Sequence, residues 1–209
     1  MSMKERFIQL ALRCNALQFG TFTLKSGRQS PYFFNAGLFY DGPTLKEIGE
    51  CYAQLLLDHQ IPCQQLFGPA YKGLPLATAT AIALSDQGVS TTVTFNRKEA
   101  KDHGEGGVLI GAPLKGDIVV IDDVITAGTA FRQAEQLIIN YGARVSAVAV
   151  ALDRCECGTG HQSTLDEIKA QGVTVLSIIT VYDLINYLDD QRQADKAQTL
   201  RDYEDGQAL

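Results

Sequence analysis

Residues 119–130 read VVIDDVITAGTA: an apolar strand, two adjacent carboxylates at its end, then a small, hydroxyl-rich loop that opens a helix. A loop at a helix N-terminus directs several backbone N–H groups at one point, and the helix dipole favours negative charge there, so Thr126 to Thr129 suit a phosphate. Asp122 and Asp123 are placed to accept hydrogen bonds from vicinal sugar hydroxyls, and are expected to face ligand rather than core. The stretch is therefore read as a sugar-phosphate site. A nucleotide phosphate loop of the Gly-Lys-Ser/Thr type is excluded because no lysine follows Gly128, and no Gly-x-Gly-x-x-Gly of the dinucleotide type is present. Two competing readings are a plain strand end with Gly128 as a turn residue and an aspartyl-phosphate receiver domain. The receiver would need its acidic pair near the chain start and a phosphoacceptor on a later strand, and neither is evident.

Outward from this stretch, short apolar runs alternate with helical ones. The pattern predicts strands at 65–67, 90–95, 117–121, 145–152 and 174–179, with helices at 73–86, 129–140, 163–171 and 181–190. Such alternation implies an α/β fold with a largely parallel central sheet and helices on both faces. Upstream, Phe7, Leu10, Ala11 and Cys14 recur at helical spacing, as do Leu45, Ile48, Tyr52, Leu55 and Leu56. Between them the aromatic segment Phe19 to Phe39 alternates as short strands do, which predicts a small antiparallel appendage, an N-terminal hood formed mainly by about residues 1–40. After Asp190 the chain turns polar and reads as a short terminal tail. The 209 residues suit a single domain.

Ligands of open α/β sheets sit beyond the carboxyl ends of the strands. Four chemically loaded segments each follow a predicted strand: Gly68 to Gly73 (GPAYKG), Asn96 to Gly107 (NRKEAKDHGEGG), Asp122 to Ala130, and Asp153-Arg154. They are expected to meet on one rim. By charge alone, 96–107 is a solvated loop, since Arg97, Lys98 and Lys101 are matched by Glu99, Asp102 and Glu105.

The net charge of −6 argues against nucleic acid or an anionic membrane as the main partner, so an anionic substrate must be met by a few placed cations. The N-terminus lacks the apolar core of a signal peptide and no segment reaches membrane-spanning length, so a cytoplasmic location is expected. Cys14, Cys51, Cys63, Cys155 and Cys157 are odd in number and lack the spacing of a disulfide framework, which reads as reduced thiols. Cys155, Cys157 and His161 are one ligand short of a closed zinc site.

Asp122 to Ala130 resembles the PRPP loop of the type I phosphoribosyltransferases, and three further segments narrow the likeness. GPAYKG looks like that family's pyrophosphate loop, RKEAKDHGEGG like the mobile catalytic loop of orotate phosphoribosyltransferases, and Lys25 to Asn35 (KSGRQSPYFFN) like their orotate-recognising hood. The resemblance spans nearly all of residues 4–190. It implies the type I phosphoribosyltransferase fold and transfer of phosphoribose from PRPP to orotate, giving orotidine 5′-monophosphate and pyrophosphate, with Mg²⁺ accompanying PRPP and held mainly through it.

By the same resemblance, Lys101, His103, Asp122 and Asp123 would be catalytic, and PRPP would meet Lys25, Tyr71, Lys72, Arg97, Lys98, Lys101 and His103 together with Asp122, Asp123, Val124, Ile125, Thr126, Ala127, Gly128, Thr129 and Ala130. Orotate would meet Lys25, Phe33, Phe34, Thr126 and Arg154. A cis peptide between Ala70 and Tyr71 is implied, as is a homodimer in which loop 96–107 reaches the partner's site, so that active sites are shared. A phosphoribosyltransferase for another base and a PRPP-binding regulator remain alternatives. The first would lack the Lys25 to Asn35 hood, and the second would call for a basic recognition face.

Overall fold

The computed structural model describes residues 1–24, 27–101, 107–156 and 163–206, with backbone alone for 98–101. Helix α1 (Met3–Arg13) starts at a capping box in which Ser2 and Glu5 satisfy each other's backbone N–H groups. Strands β1 (Leu17–Thr23) and β2 (Gln29–Phe34) then pair antiparallel as a separate two-stranded sheet, the expected hood. Helix α2 (Gly42–Asp58) begins where the Asp41 carboxylate accepts the Thr44 N–H at 2.8 Å, with Pro43 in the first turn.

The remaining elements are β3 (Gln65–Gly68), α3 (Gly73–Asp86), β4 (Thr92–Lys101), β5 (Gly107–Gly111), β6 (Asp117–Asp122), α4 (Thr129–Asn140), β7 (Arg144–Asp153), α5 (Thr164–Ala170), β8 (Thr174–Thr180), α6 (Val181–Asp190) and α7 (Ala194–Asp205). Six strands form one sheet in the order β5-β4-β3-β6-β7-β8, parallel throughout except for β5 against β4. From β3 the chain winds outward to one side, and from β6 to the other. The strand order therefore reverses between β3 and β6, and a crevice opens at their carboxyl ends.

Alternate residues of the central strands enter two cores. Leu66, Val119, Ile121, Ala147 and Ala149 pack with residues of α1, α2, α3, α6 and α7. Phe67, Ile118, Val120, Val148 and Val150 pack with Phe131, Ala134 and Ile138 of α4 and Leu165 and Ile168 of α5. Burial on both faces explains why these strands read as unbroken apolar runs.

Two expectations need correction. Residues 96–107 are not a loop throughout: β4 continues to Lys101, and β5 returns antiparallel with Asn96 opposite Leu109 and Lys101 opposite Gly107. An edge arm extending past the core needs only backbone pairing, so its charged side chains disguise a strand. The polar stretch after Asp190 contains α7, whose Ala197 and Leu200 are buried in the first core. A narrow apolar stripe is enough where a helix docks along one edge.

Candidate active site

The turn after β3 brings its glycines into contact with the neighbouring backbone. A Cβ on Gly68 would fall 2.4 Å from the Gly73 carbonyl oxygen, and one on Gly73 would fall 2.6 Å from Pro69 Cδ and 2.8 Å from the Ile121 carbonyl oxygen. Only hydrogen in place of a side chain lets this turn press against β6. The Ala70–Tyr71 peptide is cis, as expected. The Ala70 N–H donates to Asn96 Oδ1 at 2.9 Å, tying the turn to the base of the β4 arm. Tyr71 is exposed, whereas Lys72 reaches across the crevice to Asp123 Oδ2 at 2.7 Å.

Asp122 and Asp123 end β6 with 8% and 6% of their surface exposed, far more buried than a ligand-facing pair was expected to be. Burial, reinforced by the Asp123 charge, pushes the Asp122 carboxyl up to about 7. Its Oδ1 accepts the Asp123 N–H at 2.9 Å, and its carbonyl oxygen accepts the buried Tyr52 hydroxyl at 2.7 Å. The Asp123 carbonyl oxygen accepts from Ala151 and Leu152 of β7. These bonds fix the strand end from two elements, α2 and β7.

The loop beyond is clamped from outside. Thr164 Oγ1 donates to the Thr126 carbonyl oxygen at 2.5 Å, and Arg132 Nη1 donates to the Ala127 carbonyl oxygen at 2.9 Å while pairing with Glu167. Gly128 closes it at φ 71°, a left-handed conformation that opens α4. With the carbonyls held outward, the N–H groups of Thr126 to Thr129 donate to no acceptor among the described residues, and Val124, Ile125 and Ala130 flank them. This is a preformed anion cradle at a helix N-terminus.

On the hood side, Phe33 stacks on Phe22 with 5.5 Å between ring centroids and stays partly exposed, whereas Phe34 is buried against Phe7 and Phe39. Arg154, just past β7, is buried against Ser30 and Tyr32 of β2. Its guanidinium lies 4.1 Å from the centroid of the Tyr32 ring, donates to Ser30 Oγ at 3.0 Å and pairs with Glu156 at 2.7 Å. Arg97 Nη1 donates to the Gly107 carbonyl oxygen across the arm.

The structure thus gathers Tyr71, Lys72 and 122–130 at the crevice, whereas Phe33 and Phe34 lie on the hood, Phe34 in the first core, and Arg154 is buried against hood strand β2. Lys25 and His103 lie outside the described residues, as do the side chains of Lys98 and Lys101. Among the described residues no three His, Cys, Asp or Glu side chains gather as a metal set. The clamping residues Tyr52, Asn96, Arg132 and Thr164 carried no role in the sequence reading. Tyr52 falls in an apolar stripe and reads as core, and Thr164 lies far along the chain. Arg132, four residues past Gly128 on a new helix, is the one whose spacing signals a contact with the loop.

A phosphoribosyl transferase domain model matches residues 39–175, the span carrying the crevice. The chain is 57% identical over 202 residues to an orotate phosphoribosyltransferase of Legionella pneumophila strain Paris, covering 97% of this chain and 96% of that one. It is 55% identical over 190 residues to one of Photorhabdus laumondii, covering 90% and 89%. The crystal structure of orotate phosphoribosyltransferase from Francisella tularensis superposes with a TM-score of 0.86 at 35% identity, over 96% of this chain and 98% of that one. The chain belongs to the phosphoribosyl transferase family and, within it, to the orotate phosphoribosyltransferases.

Proposed function

We infer that this enzyme transfers the 5-phosphoribosyl group of PRPP to orotate in pyrimidine biosynthesis, and that the residues described above divide the work. Orotate N1 attacks the anomeric carbon as the bond to pyrophosphate breaks, the bonding electrons leaving with pyrophosphate and the N1 proton passing to solvent. The observation that carries this reading is the switch-point crevice itself: a buried acidic pair and an open N–H cradle on one side, and a hood with a buried arginine on the other. The cradle of Thr126 to Thr129 takes the 5-phosphate, and Asp122 and Asp123 accept from the ribose hydroxyls. PRPP then exchanges partners with the protein: hydroxyls replace Lys72 on Asp123, and Lys72 moves to the departing diphosphate.

Arg97, Lys98, Lys101 and His103 would add charge on the pyrophosphate side, with Tyr71 and Lys25 also near PRPP. The backbone edge at Phe33 and Phe34, with Lys25, Thr126 and Arg154, would take orotate. Catalysis is then positioning and charge stabilisation. Magnesium would be held mainly through PRPP, because this ion needs few protein ligands beside phosphate and water, and the two hard carboxylates at the end of β6 are compatible with it. Asp122 and Asp123 are the residues that would meet it, and when bound it offsets diphosphate charge.

The whole chain is read as one catalytic domain that works in the cytoplasm as a homodimer, each arm serving the partner's site. No helix among the described residues is long and apolar enough to cross a membrane. Turnover with PRPP, Mg²⁺ and one base at a time tests the assignment. Orotate should exceed uracil in kcat/KM by about 10⁴, because uracil leaves the cations of the base site without their anion. Comparable efficiency on the two bases would overturn it.

A further inference from the structure

The match to the general family model ends at residue 175, yet one element beyond it reaches the base side of the site. Helix α7 packs on α6 and on hood strand β2. From its last turn, Tyr203 donates its hydroxyl to Glu156 Oε1 at 3.0 Å, and its ring meets the Tyr32 ring edge-on at 6.4 Å. That same Glu156 oxygen accepts from Arg154 Nε at 2.8 Å and lies 2.7 Å from Nη2 as an ion pair, while Arg28 stands 3.7 Å from the other oxygen. Nη2 also donates to Ser30 Oγ, and the guanidinium faces the Tyr32 ring. The Nε–Nη2 edge of Arg154 is thereby held inside the protein. Its Nη1 donates to no acceptor among the described residues and is the nitrogen left for a ligand.

We propose that Tyr203 and Glu156 are positioning residues for base recognition: α7 orients Glu156, and Glu156 presents Arg154 to the substrate carboxylate. The proposal rests on the orotate reading above. Sharing one carboxylate oxygen between the tyrosine hydroxyl and the guanidinium fixes the carboxylate's direction and limits its hold on the arginine. Removing the hydroxyl leaves the Glu156 carboxylate free to turn, so the Nε–Nη2 edge is no longer fixed and Nη1 is no longer held towards the incoming carboxylate. Replacing Glu156 by glutamine keeps the shape and the tyrosine contact but removes the charge that holds the Nε–Nη2 edge. Both changes should act on the base and not on PRPP, whose proposed contacts, Lys25 apart, lie after β3, on the β4 arm and in the stretch from the end of β6 into α4. The buried Glu204 beside Tyr203, pushed up to about 7 chiefly by burial and then by Glu156, marks how little solvent enters this region.

The test is steady-state kinetics on purified full-length protein: wild type, Tyr203→Phe, Glu156→Gln, the double variant, and Thr199→Ala as a control on the exposed side of α7. Loss of one hydrogen bond to a charged group corresponds to roughly a tenfold effect, so each single variant should raise the KM for orotate about five- to tenfold. The KM for PRPP should stay within about twofold, and Thr199→Ala should match wild type. The double variant should be no worse than the worse single, because both changes interrupt one chain of contacts. Should a variant fold poorly, active-site titration still separates the cases: fewer folded molecules lower kcat but leave both KM values unchanged, and unchanged orotate KM in the folded fraction counts against the proposal. Equal changes in both KM values, or multiplicative effects in the double variant, would overturn it. A wild type that does not turn over orotate would instead overturn the functional reading on which it rests.

Discussion

Replacing Asp122 with asparagine should make the ligand-free protein more stable and the enzyme nearly inactive. Asp122 is 8% exposed and lies against a second carboxylate, and its carboxyl is pushed from the ordinary 3.8 to about 7 by burial first and Asp123 second. With the folded-state value above the unfolded one, both states are protonated below about pH 4 and the group costs nothing. Between pH 4 and 7 the unfolded chain ionises while the folded site keeps its proton, so stability falls as pH rises; above 7 the full cost remains, about 4 kcal/mol. Asparagine keeps the Oδ1 that accepts the Asp123 N–H and has no charge to desolvate. Allowing for imperfect accommodation of its amide, the expected gain at pH 8 is about 2–4 kcal/mol, or roughly 5–12 °C in Tm for a chain of this size. Thermal unfolding of both proteins at pH 5 and pH 8, without ligand, measures it. Asp153 and Glu204, also raised by burial, are common to both proteins and cancel in the difference. The gap should at least halve at pH 5, and turnover at saturating PRPP and orotate should fall at least tenfold. A variant less stable than wild type at pH 8, or a gap independent of pH, would refute the electrostatic account.

Gly128→Ala should cost about 1–2 kcal/mol of stability and raise the PRPP KM about tenfold, read by denaturant titration and initial rates, because the residue sits at φ 71° and the new Cβ would lie 2.5 Å from Thr164 Cγ2. Asn96→Ala strips the acceptor from the Ala70 N–H and should reduce kcat/KM for PRPP about five- to tenfold, with the orotate KM within twofold of wild type. If the arm serves a partner's site, Lys101→Ala and Asp123→Asn chains, each nearly inactive alone, should recover about a quarter of wild-type activity after co-refolding. Half the dimers are then mixed, and half of their sites collect neither defect. Confirmed subunit exchange with activity still at the parental level would mean that each arm works within its own subunit.

The parts of the fold that were legible are those where burial dictates residue type. Strands β6 and β7 are buried on both faces, so Ile118 to Ile121 and Ala147 to Leu152 can only be apolar, and their ends mark where the chemistry begins. The arm of β4 escaped notice because backbone pairing at a sheet edge leaves Lys98, Glu99 and Lys101 unconstrained in type. Helix α7 escaped because its start carries no side-chain cap and its buried stripe is narrow. In the site, the acidic pair, the glycine turn and the small loop were visible because each is local in sequence. Their supports were not, since Tyr52, Thr164 and Tyr203 meet the site from distant elements and have ordinary neighbours.

That same distance in sequence concealed how the cations are kept. A chain of net charge −6 binding a polyanion suggests an open positive pocket, yet two of the proposed site cations are met by internal carboxylates, Lys72 by Asp123 and Arg154 by Glu156. Leaving a half-buried ammonium or a buried guanidinium without a partner would be costly in the empty enzyme. On the proposed reading, PRPP binding is an exchange of partners at Lys72 and Asp123 and not the filling of a vacant charge. Each exchange favours a ligand able to replace both halves of a pair, with hydroxyls for the freed carboxylate and anionic oxygens for the freed cation. A free diphosphate lacks the hydroxyls and a free ribose lacks the anion. PRPP carries both within one molecule, so on that reading the Lys72–Asp123 pair would select the intact donor over its fragments while remaining satisfied between turnovers.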